Sequence, residues 1–140
     1  MGRRAYGDWS RADGLAWHVV LDDTPLGAYV GVDRSRGPWS QESGFVADAP
    51  PAPGDVDAWN GVTDGLPPFV LVRAAADVLA VTVVTASGEG PVVDLVETDG
   101  ACRVGAVPVD DGAIVGLRIR TAAGEHERAL HAPPPGAPGH

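Results

Sequence analysis

Hydrophobic positions along the chain follow two different rhythms. Over residues 69–130 they come in short runs of valine, leucine, isoleucine and threonine, parted by turns at Ser87-Gly88, Asp99-Gly100, Asp111-Gly112 and Ala123-Gly124, with the glycines twelve residues apart. A strand of about eight residues and a turn of about four fill each unit, which is the spacing of β-sandwiches and barrels. The units share little beyond apolar character, so the beat marks consecutive strands and not a solenoid repeat. Strands are expected at 69–73, 78–85, 91–97, 102–109, 113–121 and 126–130. Alternation puts Leu79, Val81 and Val83 on one face of the second, and Val115, Leu117 and Ile119 inward in the fifth with Arg118 and Arg120 outward. A helix over 72–81 is the rival reading, because alanine is the best helix former, but the β-branched run Val81-Thr82-Val83-Val84-Thr85 opposes it.

The N-terminal half keeps no such beat. Residues 1–14 are polar and arginine-rich and are expected to form a flexible arm. Residues 15–21 and 26–33 read as a hairpin about the turn Asp22-Asp23-Thr24-Pro25, with Trp17, Val19 and Leu21 on one face. Between 34 and 68 periodicity nearly vanishes, apart from Gly44-Phe45-Val46-Ala47 and a short strand near 56–59, and Ala49-Pro50-Pro51-Ala52-Pro53-Gly54 reads as a stiff connector. An irregular segment of that length is either a functional loop or a set of strands with a masked pattern. Residues 132–140 form a proline-rich tail expected to be disordered, which leaves a domain at 15–131.

The expected fold class is therefore all-β: a single antiparallel β-sandwich, immunoglobulin-like, of about seven to eight strands with a long irregular segment. The order of Trp17-His18-Val19-Val20-Leu21, a glycine-rich middle, and 70–128 with its Ala76-Asp77-Val78-x-x-Val81-x-Val83 opening resembles a class of high-GC bacterial immunoglobulin-like β-sandwich domains often found outside a membrane anchor. The resemblance implies cysteines in the second strand and middle loop. Gly27-Ala28-Tyr29 and Ser43-Gly44-Phe45 stand there instead, and the class implies no catalytic residues.

A formal net charge of −9 and a pI near 4.6 exclude a basic footprint for nucleic acid and oppose an anionic membrane surface. No apolar run is long enough to span a bilayer, and no hydrophobic signal core follows Met1-Gly2-Arg3-Arg4. The chain as written reads as cytoplasmic, or extracytoplasmic if an anchor or signal lies outside it. The lone Cys102 excludes an internal disulfide and reads as a small apolar strand residue.

Chemistry-bearing patterns are sparse. There is no phosphate-binding glycine loop and no Gly-x-Ser-x-Gly elbow. His126 and His131 fall on opposite faces of one strand, and Asp22-Asp23, Asp55-x-Asp57 and Asp110-Asp111 lack calcium-loop spacing. No metal or cofactor is implied. Every aromatic residue lies at or before Phe69, either to fill the core over an aliphatic sheet or to present a platform. The candidate binding residues are Arg34, Arg36, Trp39, Phe45 and Trp59, on a non-enzymatic interaction or accessory module whose partner is another protein. The alternative is a small-ligand-binding barrel or sandwich, in the limit a small enzyme, using His18, Asp22 or Arg73 in a pocket. A third reading pairs an edge strand with a second copy of the chain.

Overall fold

The computed structural model describes residues 2–62, 66–98, 100–110 and 113–130. The expected tail at 132–140, the histidines His131 and His140, and the turn residues Asp99, Asp111 and Gly112 lie outside them. Among the described residues the protein is all-β, with twelve strands and no helix: β1 (Arg4–Ser10), β2 (Leu15–Thr24), β3 (Gly27–Arg36), β4 (Trp39–Ala47), β5 (Val56–Gly61), β6 (Phe69–Ala75), β7 (Val78–Thr85), β8 (Gly88–Val93), β9 (Val96–Glu97), β10 (Cys102–Pro108), β11 (Ile114–Thr121) and β12 (Gly124–Ala129). They make three antiparallel four-stranded sheets. The N-terminal sheet is the meander β1-β2-β3-β4, the middle sheet has the order β5-β6-β10-β9, and the outer sheet has the order β12-β11-β7-β8.

Twelve strands replace the expected seven or eight because the weakly patterned stretches are paired as well. Residues 4–10, expected as a loose arm, pair with β2 through a register shift between Tyr6 and Trp9. The segment 34–68 is not a long irregular loop, since it contains the end of β3, all of β4 and all of β5. The first hairpin turns at Pro25-Leu26, three residues later than its acidic pair suggests, with Thr24 Oγ1 donating to the Gly27 carbonyl at 2.7 Å. The expected strand at 91–97 is broken at Asp94-Leu95, where the chain leaves the outer sheet for the middle one.

Burial explains the layering. Every residue of β6 is buried, although its sequence Phe-Val-Leu-Val-Arg-Ala-Ala carries no polar alternation, as expected of a strand covered on both faces. Val70, Val72 and Ala74 pack with Val81, Val83, Leu117 and Ile119 of the outer sheet. Phe69 and Leu71 point the other way, into a second core with Leu15, Trp17, Val19, Val30 and Val32 of the N-terminal sheet. The sheet containing β6 is thus sandwiched, with β1 over β9, β2 over β10, β3 over β6 and β4 beside β5. The chain visits the middle and outer sheets in alternating pairs: β5 and β6, β7 and β8, β9 and β10, β11 and β12.

Two irregularities redirect side chains expected in the core. Register shifts between Ile114 and Gly116 and between Arg120 and Thr121 slip β11 against β7. Val78 and Ile114 therefore take buried positions, while Leu79 and Val115 face solvent.

Candidate functional site

The five sequence-predicted residues do not form one exposed surface. Arg34 points inward from β3 and is fully buried. Its guanidinium lies 5.5 Å from the Phe69 ring centroid and its Nη2 donates to Ser43 Oγ at 2.9 Å. Burial lowers its pKa from the ordinary guanidinium value. Phe45 and Trp59 pack against the core between the N-terminal and middle sheets. Only Arg36 and Trp39 meet at the surface, paired across the β3–β4 hairpin, with Arg36 donating to Asp13 Oδ2 at 2.9 Å and Trp39 37% exposed.

The aromatic bias of the first half is concentrated in that same interlayer. Trp9 stacks on Trp17 at 6.4 Å, and Trp17 meets Phe69 edge-on at 5.6 Å. Their indole nitrogens are satisfied: Trp17 Nε1 donates to the Ala106 carbonyl at 2.8 Å and Trp9 Nε1 to Asp94 Oδ2 at 2.9 Å. The Trp59 ring lies across Gly61, where a Cβ would fall 2.0 Å from it. Bulky rings fill the space between two sheets whose facing strands otherwise present valine, leucine and alanine.

At one end this interlayer opens into a cleft of about 310 Å³. Arg4, Leu21 and Asp22 line it from the N-terminal sheet, and Arg73 and Cys102 from the middle sheet, with Thr98 from the β9–β10 turn. Their placement follows from pairing. Arg4 lies opposite Leu21 on the face that carries Val19, while Arg73 lies opposite Val104 with Cys102 two residues before it. Arg73 is the single charge inside an apolar strand, and its side chain is 7% exposed. Its Nη2 donates to Asp57 Oδ2 at 2.7 Å and to the Ala49 carbonyl at 2.6 Å, and its Nε lies 3.3 Å from the same carboxylate oxygen. These bonds hold the guanidinium in one orientation at the base of the cleft.

Of the residues expected to serve a pocket, the cleft gathers Asp22 and Arg73 and leaves out His18. That histidine sits on the solvent face of the N-terminal sheet, with Nε2 3.5 Å from Asp33 Oδ2. Cys102 was expected only as a strand residue, and its place in the cleft is set by a neighbouring strand that single-sequence periodicity does not reveal. The usable signal was Arg73 itself, a charge in the middle of a continuous apolar run. A second cavity, of about 380 Å³, lies between the β7–β8 hairpin and the end of β10, lined by Ser87, Glu89, Pro91 and Asp110 among others. Among the described residues its lining holds no cation, and it adjoins residues outside that set.

Several other charges hold strands together. On the solvent face of the N-terminal sheet Arg3 bonds Glu42, which also accepts from the Tyr29 hydroxyl at 2.9 Å. Burial, helped by that carboxylate, pushes the Tyr29 phenol up to about 12, and the bond from Arg3 holds Glu42 below the usual carboxylate range. Arg11 bridges Asp13 and Asp110 at 2.7 and 2.8 Å, tying the β1–β2 turn to the end of β10. Among the described residues no group of three or more His, Cys, Asp or Glu is placed to hold a metal ion, and no helix is long and apolar enough to cross a membrane. No protein-family model, curated protein or solved structure matches the chain.

Proposed function

We propose that the chain is a non-enzymatic binding module in which an immunoglobulin-like sandwich, β5 to β12, is overlaid by the N-terminal sheet and holds a small ligand in the cleft between them. Strand order supports the scaffold reading. Lettered A to G in chain order with β8 as C′, the middle sheet runs A-B-E-D and the outer sheet G-F-C-C′, which is the partition of immunoglobulin-like domains. The sequence resemblance to high-GC bacterial domains of that architecture points the same way. Val72 and Leu117 fill the buried inter-sheet positions on strands B and F, and this sandwich relies on packing alone.

The observation that carries the binding reading is the guanidinium of Arg73. It is held by Asp57 and Ala49, and Arg73 lines a cleft whose other walls mix apolar and polar side chains, the composition of small-molecule sites. Fragment mixtures titrated into ¹⁵N-labelled protein should shift the amides of Leu21, Asp22, Thr98 and Cys102 together. Shifts confined to other regions, or none at all, would remove the reading.

A second reading is favoured by Trp39, the one tryptophan outside the aromatic core and exposed beside Arg36. A protein partner docked on that hairpin would lose binding on Trp39→Ala and be indifferent to Arg73→Met.

A further inference from the structure

We infer that the cleft takes a small zwitterion, an amino-acid-like molecule whose carboxylate is gripped by Arg73; this rests on the cleft being a binding site. Two of the three Arg73 nitrogens are engaged by Asp57 and Ala49, and Nη1 makes no hydrogen bond among the described residues. A buried, planar, oriented guanidinium with a spare N–H donor set suits a carboxylate. Arg4 adds positive charge from the facing sheet.

The same cavity is lined by Asp22 and Asp23. They would disfavour a second carboxylate on the ligand and favour an ammonium group, so the charge pattern favours molecules of zero net charge over dianions. Leu21 and Ala28 give a short aliphatic chain something to cover. A volume of about 310 Å³ is at the small end for ligand sites.

Cys102 is the only cysteine in the chain and lines the cleft, so it reports directly on what enters. Iodoacetate and iodoacetamide alkylate it by one reaction: the thiolate sulfur displaces iodide from the methylene carbon and an S–C bond forms. On a chain of net charge −9 with no cationic site, the anionic reagent should be the slower. The inference expects the reverse: iodoacetate faster by about tenfold, as in a cleft that concentrates its ligand, with a rate that saturates. Glycine or alanine should protect the thiol at lower concentration than succinate. Arg73→Met and Arg4→Gln should each bring the ratio of the iodoacetate to the iodoacetamide rate below one, a ratio in which any change in thiolate fraction cancels, with circular dichroism confirming that each variant is folded.

Iodoacetate slower than iodoacetamide in the unaltered protein, or an advantage that survives both arginine changes, would overturn the inference. If a neutral solute protects Cys102 and amino acids do not, the ligand class falls and the binding site stands. If both reagents react as with an unstructured cysteine peptide and no solute protects, the cleft is no site and the proposed function falls with it.

Discussion

Replacing Asp57 by alanine should cost more than replacing its partner Arg73 by methionine, although the same ion pair is broken. Arg73 is 7% exposed and Asp57 31%, so the cation is the member that depends on its partner for solvation. At the separation seen here, 2.7 Å, the attraction at an effective dielectric near 20 is about 6 kcal/mol, most of it offset by the desolvation of both charges. Without Asp57 the buried guanidinium keeps only the Ala49 carbonyl and the opening of the cleft. The expected cost of Asp57→Ala is about 3 kcal/mol, the low end for breaking a buried pair. Methionine retains the aliphatic stem, forfeits the bond to Ala49 and leaves Asp57 near enough to water to rehydrate, a loss of about 1 kcal/mol. The double variant should then cost about what Arg73→Met costs alone.

Urea unfolding followed by tryptophan fluorescence measures these differences. With a slope of about 1–3 kcal/mol/M, Asp57→Ala should lower the midpoint by about 1–3 M. If Asp57→Ala proves no more damaging than Arg73→Met, Arg73 is not a buried charge held by Asp57, and its role as the oriented base of the cleft fails.

Gly44→Ala should destabilise the N-terminal sheet by about 1–3 kcal/mol, because the new methyl would fall 2.0 Å from the Val30 carbonyl oxygen where β3 and β4 meet at the Gly31–Gly44 pair; an unchanged melting temperature would contradict that close approach. Acid should weaken the tie between the β1–β2 turn and β10. The bond from Arg11, with the Leu15 amide, lowers the Asp13 carboxyl from 3.8 to about 2, so its contribution is complete above about pH 4 and is lost as pH falls towards 2. Asp13→Asn should flatten the pH dependence of stability over that interval, as read by unfolding midpoints between pH 5 and 2.

The strands 78–85 and 102–109 of the aliphatic half were legible almost to the residue, against β7 at Val78–Thr85 and β10 at Cys102–Pro108. β4 was not, and Arg34 is the reason. A buried guanidinium needs polar company, so Ser43 faces the core where alternation calls for an apolar residue. β5 was only partly legible for a different reason. Val56 faces one core and Trp59 the other, and a strand covered on both sides shows no period of two. Of the candidate site, Asp22 and Arg73 could be singled out in the sequence, whereas Cys102 and Thr98 join them only through the pairing of β6 with β10 and the turn before it.

Local chemistry in this chain determines which residues are extended and where the chain turns, because alternation, β-branching and glycine act within a few residues. That much yields an all-β protein without further information. Which sheet each strand joins depends on contacts far apart in the chain, such as Trp17 with Ala106 and Phe69 with Arg34. Those contacts alone decide that β6 is covered on both faces, that the tryptophans of the first half are mostly core, and that Arg73 stands at the base of a cleft.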